Sequence, residues 1–243
     1  MFQPTRSLGA LWVARVLLLL GASSAFAQPD RAVRRDIVGT EQNRYSRDKE
    51  ELIIRDFFQD RREGVFLDVG CWQPIQASNT YYLEHHLGWS GIGIDALDEM
   101  APGWKRHRPA SKFLNYVVTD KAGAIKPFFR VDLTDISAVE QPLVGPAGKP
   151  VASRTIMVPT ITLTKALDDN GIKHVDFLSM DIEGAEVPAL AGFDIERFRP
   201  LLVCIESKVK NREAILSYFK KHGYHRIERY LKYDQSNWYF TPD

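Results

Sequence analysis

Apolar and polar residues alternate in blocks from Tyr45 to the C-terminus. Several short apolar runs are continuous, which is typical of strands that are buried on both faces of a parallel sheet. Amphipathic stretches separate these runs, and the alternation of strands with helices predicts an open α/β sheet. The first predicted helix begins after Ser46, and the others cover residues 78–87, 164–169, 185–191 and 212–222. The predicted strands are residues 65–69, 92–94, 113–118, 175–180 and 201–205.

Two segments near the C-terminus, residues 224–230 and 238–241, lie close enough along the chain to pair as an antiparallel hairpin. Residues 141–150, which follow the third predicted strand, are rich in Pro and Gly and predict a loop. Strand-like residues 128–131 and 155–158 flank this loop. The pattern therefore predicts a mostly parallel sheet with an insertion before its fourth strand and an antiparallel end.

The first 27 residues have the pattern of a secretory signal peptide. Arg6 and Arg15 are their only charged residues, and an apolar run at 16–22 leads to Ala25-Phe26-Ala27, so we expect cleavage before Gln28. Too few apolar residues follow Arg15 for a spanning helix. We therefore expect export to the periplasm or the medium without stable membrane insertion; an N-terminal membrane tether or a cytoplasmic location is the alternative. Residues 28–44 are polar and predict a flexible leader, which places the domain at residues 45–243.

Composition and charge narrow the class of protein. The chain has 243 residues, of which 44% are apolar, and this excludes a disordered protein and predicts one sizeable domain. A formal charge of +1 provides no attraction to phosphate backbones, so we expect no nucleic-acid partner. Cys71 and Cys204 are the only cysteines, which excludes a disulfide framework and a thiolate zinc site.

Acidic residues end or follow each of the five predicted strands. Because the carboxyl ends of parallel strands meet at the edge of the sheet where ligands bind, these carboxylates should lie near one another. Clustered carboxylates are costly unless they bind hydroxyl groups, amines or a cation, so they favour a polyhydroxyl or cationic ligand. The alternative is that each one caps the helix that follows it. The acids are Asp68, Asp95, Asp120, Asp181, Glu183 and Glu206.

Gly70 and Asp95 supply two parts of a nucleoside site. A glycine after the first strand permits close backbone approach, and an acid after the second strand can accept hydrogen bonds from both ribose hydroxyls. Trp72 and Pro74 stand where a dinucleotide fingerprint would have further glycines. Without a glycine-lined helix start there is little to hold a pyrophosphate, which disfavours NAD and favours a nucleoside cofactor without phosphates.

Three motifs lie along the predicted sheet: FLDVG at 66–70, GIGID at 91–95 and DFLSMDIEGAE at 176–186. Together with Pro74, SNTY at 78–81 and VPTITL at 158–163, they resemble the FkbM family of class I S-adenosylmethionine-dependent methyltransferases. The resemblance covers about four fifths of the chain. It implies a three-layer, Rossmann-like α/β fold with a seven-stranded, mostly parallel sheet that ends in an antiparallel hairpin.

The resemblance also implies how S-adenosylmethionine would bind. Asp68 and Gly70 would lie beneath the methionine moiety, and Asn79 would help to hold its amino-acid end. Asp95 would bind the ribose, and Asp120 would lie beside the adenine.

Methyl transfer to an alcohol requires alignment of the two reactants and removal of the hydroxyl proton. We expect Asp181 and Glu183 to bind or deprotonate the acceptor hydroxyl, and Glu206 to share this task. The same three acids could instead hold a Mg²⁺-like cation. We expect no metal, because oxygen-only ligand sets have no diagnostic spacing.

The expected function is methylation of a sugar hydroxyl or a small natural product, so the expected partner is a small-molecule or glycan acceptor. The alternative is an exported, non-catalytic module of the same fold that binds a nucleoside or a glycan. Intact Asp68, Gly70, Asp95 and Asp181 favour the enzyme, because a decayed site would be expected to lose some of them.

Overall fold

The computed structural model describes residues 34–130 and 154–243, and the backbone of residues 138–139. The predicted signal peptide at 1–27 and the predicted loop at 141–150 lie outside these residues. In the described part of the chain, no helix is long and apolar enough to cross a membrane.

Strands and helices alternate along the described residues, as predicted. In chain order, the strands are β1 (Val65–Val69), β2 (Ser90–Asp95), β3 (Ser111–Asn115), β4 (Val117–Val118), β5 (Ile125–Arg130), β6 (Ala138–Val139), β7 (Arg154–Ile161), β8 (Phe177–Met180), β9 (Leu202–Glu206), β10 (Tyr224–Arg226) and β11 (Asn237–Pro242). The α-helices are α1 (Ile37–Thr40), α2 (Glu50–Phe58), α3 (Tyr81–Leu87), α4 (Ala101–His107), α5 (Leu163–Asp169), α6 (Glu186–Ala191), α7 (Ile195–Phe198) and α8 (Arg212–Lys221).

Seven strands form the central sheet in the order β3-β2-β1-β8-β9-β11-β10. β1 pairs in parallel with β2 and with β8, and β8 pairs in parallel with β9. β11 runs antiparallel to both of its neighbours, β9 and β10. The mostly parallel, seven-stranded sheet with a C-terminal antiparallel hairpin is therefore confirmed.

Helices cover both faces of this sheet and make three layers. Because successive strand residues point to opposite faces, neighbouring residues of β1 belong to different cores. Phe66 lies in a buried cluster with Leu52 of α2 and Leu83 of α3. Leu67 lies in the other cluster, to which α5 to α8 contribute. The carboxyl ends of the parallel strands are thereby left accessible at one edge.

A smaller sheet has the order β4-β7-β5-β6, in which β5 and β7 pair antiparallel. The predicted strand at 113–118 is divided between the two sheets, because β3 pairs with β2 whereas β4 pairs with β7. The chain changes sheet at Tyr116, whose N–H donates to the Asp95 carbonyl at 3.0 Å. The sequence of residues 113–118 does not reveal this change of partner.

The N-terminal boundary of the packed domain lies earlier than predicted. Within the predicted leader at 28–44, α1 is helical and begins after Asp36, whose side chain accepts a hydrogen bond from the Gly39 N–H at 3.1 Å. Ile37 and Val38 are buried in the same cluster as α2. The boundary at Tyr45 is therefore too late for the described residues.

Candidate active site

Gly70 brings the ends of three strands together. Its φ of +80° suits glycine, and a Cβ at this position would lie 1.8 Å from the carbonyl oxygen of Asp181. Its N–H donates to the Ile94 carbonyl at 2.9 Å. The backbone after β1 is thus held between the ends of β2 and β8, and only glycine fits there.

Asp95 lies at the end of β2, and its carboxylate binds the loops that follow β1 and β2. One oxygen of its carboxylate accepts from the Trp72 N–H and the other from the Leu97 N–H, each at 2.9 Å. Burial raises the pKa of Asp95 to about 6, although these two hydrogen bonds oppose the change. Each oxygen retains a second lone pair, so the carboxylate can still accept hydrogen bonds from a pair of hydroxyl groups.

A cleft of about 600 Å³ opens beside Asp95. Its walls are mostly apolar and include three aromatic side chains, which suits a flat, weakly polar ligand such as a nucleobase. Asp120, which is expected beside the adenine, is exposed and does not line this cleft. The apolar lining includes Leu97, Tyr116, Val117, Val118, Phe128 and Ile182.

A second cleft of about 680 Å³ adjoins the first and is polar. The two clefts share five lining residues, among them Gly70, Asp181 and Glu183, and therefore form one continuous site. Sequence reasoning missed some of the polar lining, because most of those residues come from outside the strand-end motifs and Ser179 is an uncharged residue within one of them. The missed residues include Arg47, Glu50, Ser179 and Asn237, while the predicted residues Asp68 and Asn79 also line this cleft.

Asp68 and Asn79 both make hydrogen bonds that shape the polar cleft. The Thr80 hydroxyl donates to the Asp68 carboxylate at 2.6 Å, and the Asn79 amide donates to the Ser179 hydroxyl at 3.1 Å. Burial raises the pKa of Asp68, although the hydrogen bond from Thr80 opposes this. Asp68 therefore orders the loop after β1 in addition to facing the cleft.

A buried ion pair supports the same loop from behind. Arg108, which follows α4, donates to the Glu84 carboxylate at 2.7 Å and to the Thr80 hydroxyl at 2.9 Å. The side chain of Arg108 is fully buried. Sequence patterning predicts neither this ion pair nor α4, because α4 contains Pro102 and buries only Trp104.

The structure brings Asp181, Glu183 and Glu206 together, as expected from the adjacent positions of β8 and β9. Carboxylate oxygens of all three lie within 4.8 Å of one another. Asp181 is open to the cleft, yet the surrounding protein and the charge of Glu183 raise its pKa to about 6. Burial and the charge of Asp181 raise the pKa of Glu206 to about 9. Unlike the other two acids, Glu206 lines neither of the two clefts.

Glu186 orders the loop that carries Glu183. Its fully buried carboxylate accepts from the N–H groups of Ile182 and Gly184, and from the Asn211 side chain at 2.8 Å. Glu183 has a φ of +57°, which is uncommon outside glycine. The caps provided by Glu186 keep the loop in this conformation.

The two clefts fit a ligand that joins a nucleoside to a charged amino acid. The apolar cleft suits a base, Asp95 can bind ribose hydroxyls, and the polar cleft offers carboxylates together with Arg47. Gly70 lines both clefts, so its backbone can lie against such a ligand. These are the features that S-adenosylmethionine requires.

Three solved structures of methyltransferases show a distant similarity to the chain. A TehB-like SAM-dependent methyltransferase from Corynebacterium glutamicum is 14% identical, with a TM-score of 0.42 over 86% of this chain and 94% of that one. A precorrin-6y C5,15-methyltransferase from Geobacter metallireducens is 10% identical, with a TM-score of 0.42 over 73% and 71% of the two chains. A SAM-dependent methyltransferase from Thiobacillus denitrificans, in complex with S-adenosyl-L-homocysteine, is 13% identical, with a TM-score of 0.38 over 84% and 75%.

A comparison with curated proteins gave no significant match. The family model described as the methyltransferase FkbM domain, however, matches residues 68–226, which is well over half of the chain. The matched residues run from Asp68 at the end of β1 to the end of β10 and include Asp95, Asp181 and Glu206. The chain therefore belongs to the FkbM family of S-adenosylmethionine-dependent methyltransferases.

Proposed function

We propose that the protein is an O-methyltransferase that methylates a hydroxyl group of a sugar or another small natural product. The observation that carries this proposal is the position of Asp181, which lines both the apolar and the polar cleft. Bound S-adenosylmethionine supplies a methyl group on a positively charged sulfur, which an oxygen nucleophile displaces to leave S-adenosylhomocysteine.

The residues of the chain divide between holding the cofactor and holding the acceptor. The apolar cleft would hold the adenine, and Asp95 would accept hydrogen bonds from the ribose hydroxyls. Asp68 and Asn79 lie in the polar cleft and would hold the amino-acid end. Gly70 lines both clefts and would therefore lie between these two ends of the cofactor.

Asp181 then acts as the general base. A pKa of about 6 leaves its carboxylate ionised at neutral pH, yet basic enough to take the acceptor's proton as the new bond to oxygen forms. Because Asp181 is open to the cleft, an acceptor hydroxyl can reach it. Glu183 also lines both clefts and binds a second hydroxyl or orients the acceptor.

The polar cleft supports a polyhydroxyl acceptor. Its lining combines carboxylates with amide and hydroxyl groups, among them Ser179 and Asn237. Such groups form directional hydrogen bonds with sugar hydroxyls and offer little apolar surface to a lipid or an aromatic acceptor.

Cofactor binding is tested by titrating the purified full-length chain with S-adenosylmethionine while its thermal stability is followed. We expect saturable stabilisation that Asp95→Ala abolishes and that Asp98→Ala, which removes an exposed acid nearby, leaves intact. Absence of a shift at millimolar cofactor would refute the site.

The reaction is tested with methyl-labelled S-adenosylmethionine and a panel of mono- and oligosaccharides. We expect label on an acceptor oxygen, and we expect Asp181→Asn to lose transfer while it still binds S-adenosylhomocysteine. Label found only on nitrogen or carbon acceptors would contradict O-methylation, and full activity of Asp181→Asn would refute its role as base.

We also propose that the N-terminal 27 residues direct export, on the sequence pattern described above. Fractionation of expressing cells and determination of the mature N-terminus test this proposal. A chain that begins at Gln28 in the periplasm or medium is expected, and an intact Met1 in the cytosol would refute it.

A further inference from the structure

Three carboxylates lie close together at the ends of β8 and β9 and form an acidic cluster. Asp181, Glu183 and Glu206 place carboxylate oxygens within 4.8 Å of one another. The pair Glu183 and Glu206 meets a single ammonium group, that of Lys208, among the ion pairs of the described residues. Carboxylates at this separation repel one another strongly unless a cation or a proton lies between them. A cation or a proton must therefore neutralise part of the negative charge of the cluster.

Lys208 is placed to do so. It follows β9 by two residues, and its Nζ atom binds the Glu183 carboxylate and lies 3.5 Å from that of Glu206. Two thirds of its side chain is buried, which limits screening by solvent. Although burial lowers the pKa of Lys208, the hydrogen bond with Glu183 and the charge of Glu206 raise it above its ordinary value. Lys208 is thus a fixed positive charge inside the cluster.

The three acids differ in what they bind. Glu183 is occupied by Lys208. Glu206 has one oxygen that is buried without any hydrogen-bond partner, and its side chain is only 15% exposed, an environment that favours the protonated acid. The carboxylate of Asp181 makes no hydrogen bond or ion pair with another described side chain and opens into both clefts. One acid is therefore paired, one is buried, and one faces the reactants.

We propose that Lys208 is a positioning residue for methyl transfer, the internal cation that binds Glu183, lies beside Glu206 and leaves Asp181 as the carboxylate that meets the acceptor. This inference rests on the proposed role of Asp181 as general base. Lys208 touches neither cleft and acts through the carboxylates that it binds. It lies outside the strand-end pattern of acids, and for this reason the sequence alone does not single it out.

The charged groups around Asp181 come from three segments of the chain, and the sum of their effects sets its proton affinity. Three acids disfavour a charge on Asp181 and two bases favour it, so the loss of either base should make Asp181 harder to ionise. The acids are Glu183, Glu186 and Glu206, and the bases are Lys208 and Arg47.

The test measures the side-chain carboxyl resonance of Asp181 by carbon NMR as the pH of the full-length protein is varied, with Asp181→Asn used for assignment. We expect Lys208→Met to raise the titration midpoint of Asp181 by about one pH unit, because an opposite charge nearby is removed. Lys208→Arg keeps the charge and should stay close to the wild type. Lys210→Met removes an exposed charge two residues away and is the matched control.

Three results would overturn the inference. One is a Lys208→Met variant that folds, as judged by its circular dichroism, but titrates like the wild type. Another is an equal shift in Lys208→Met and Lys210→Met. The third is a saturable change of the wild-type Asp181 resonance with millimolar Mg²⁺, because a metal ion would then be the cation of the cluster. S-adenosylhomocysteine binding is measured separately, so failure of the proposed function is distinguishable from failure of this inference.

Discussion

The buried ion pair between Arg108 and Glu84 is expected to stabilise the loop after β1, which lines the polar cleft. The Arg108 side chain is 0% exposed and that of Glu84 is 6% exposed, with 2.7 Å between the Arg108 Nε and a Glu84 oxygen. The guanidinium also donates to the Thr80 hydroxyl, which in turn donates to Asp68. Replacement of Arg108 by methionine retains apolar bulk and removes the charge and its hydrogen bonds.

The expected cost follows from the charge that is left behind. Removal of one partner from a buried ion pair costs about 3–5 kcal/mol, because the remaining charge is uncompensated. Glu84 retains hydrogen bonds from the Ala110 N–H and the Ser111 hydroxyl, so we expect Arg108→Met to lose about 3 kcal/mol of unfolding free energy, at the lower end of this range. The double variant Arg108→Met/Glu84→Gln removes both charges and should recover more than half of the loss.

Urea unfolding followed by tryptophan fluorescence measures these free energies, and Arg106→Met is the control. Arg106 lies in the last turn of α4 and is exposed, so its replacement should change stability by less than about 0.5 kcal/mol. We also expect Arg108→Met to weaken S-adenosylhomocysteine binding, since the loop held through Thr80 lines the polar cleft. A cost of less than about 1 kcal/mol for Arg108→Met would refute the reasoning about buried charge. A double variant as unstable as the single one would show that the lost unfolding free energy comes from packing and not from the unpaired charge.

Three further predictions concern the site itself. Gly70→Ala should cost about 1–3 kcal/mol in urea unfolding and abolish S-adenosylhomocysteine binding, because its Cβ would overlap the Asp181 carbonyl; wild-type affinity would contradict this. Calorimetry should show that the affinity for S-adenosylhomocysteine falls as the pH drops through about 6, the pKa of Asp95, because ribose hydroxyls donate to the ionised carboxylate. The Asp95→Asn variant should bind weakly at every pH. A wild-type affinity that does not change with pH would contradict this prediction. The pKa of Glu206 is raised from 4.5 to about 9 in the folded protein. Between these two pH values the folded state keeps a proton that the unfolded state has released, so stability is full below the lower value and falls until the pH reaches the higher one. Glu206→Gln should therefore unfold with a smaller dependence on pH and be more stable than the wild type at high pH by about 1–3 kcal/mol, whereas parallel curves would show that Glu206 carries no such proton.

The sequence by itself determines the central strands and the edge at which the site lies. The apolar run at 65–69 matches β1 residue for residue, because a strand buried on both faces has a local signature. Gly70 and Asp95 are identifiable for a related reason. The carboxyl ends of parallel strands converge whatever the helices between them do, so a glycine and an acid in those positions already indicate a nucleoside site.

A local sequence pattern does not predict which neighbouring strand a given strand pairs with. Residues 113–118 are predicted as one strand, yet they are shared between two sheets, because pairing with β2 or with β7 depends on strands elsewhere in the chain. Asp120 follows these residues and is expected beside the adenine; it is exposed and does not line the apolar cleft, whereas Phe128 from β5 does.

Only the tertiary structure decides what each acid of the site does. Asp181, Glu183 and Glu206 are alike in sequence, and all three end or follow a strand. They differ because Lys208 binds one, the protein interior surrounds another, and the cleft leaves Asp181 open. Charge interactions depend on distance and on burial, and Lys208 lies 25 residues from the carboxylate it holds. Strand positions follow from local patterns of burial, whereas proton affinities follow from contacts between distant residues that no local pattern records.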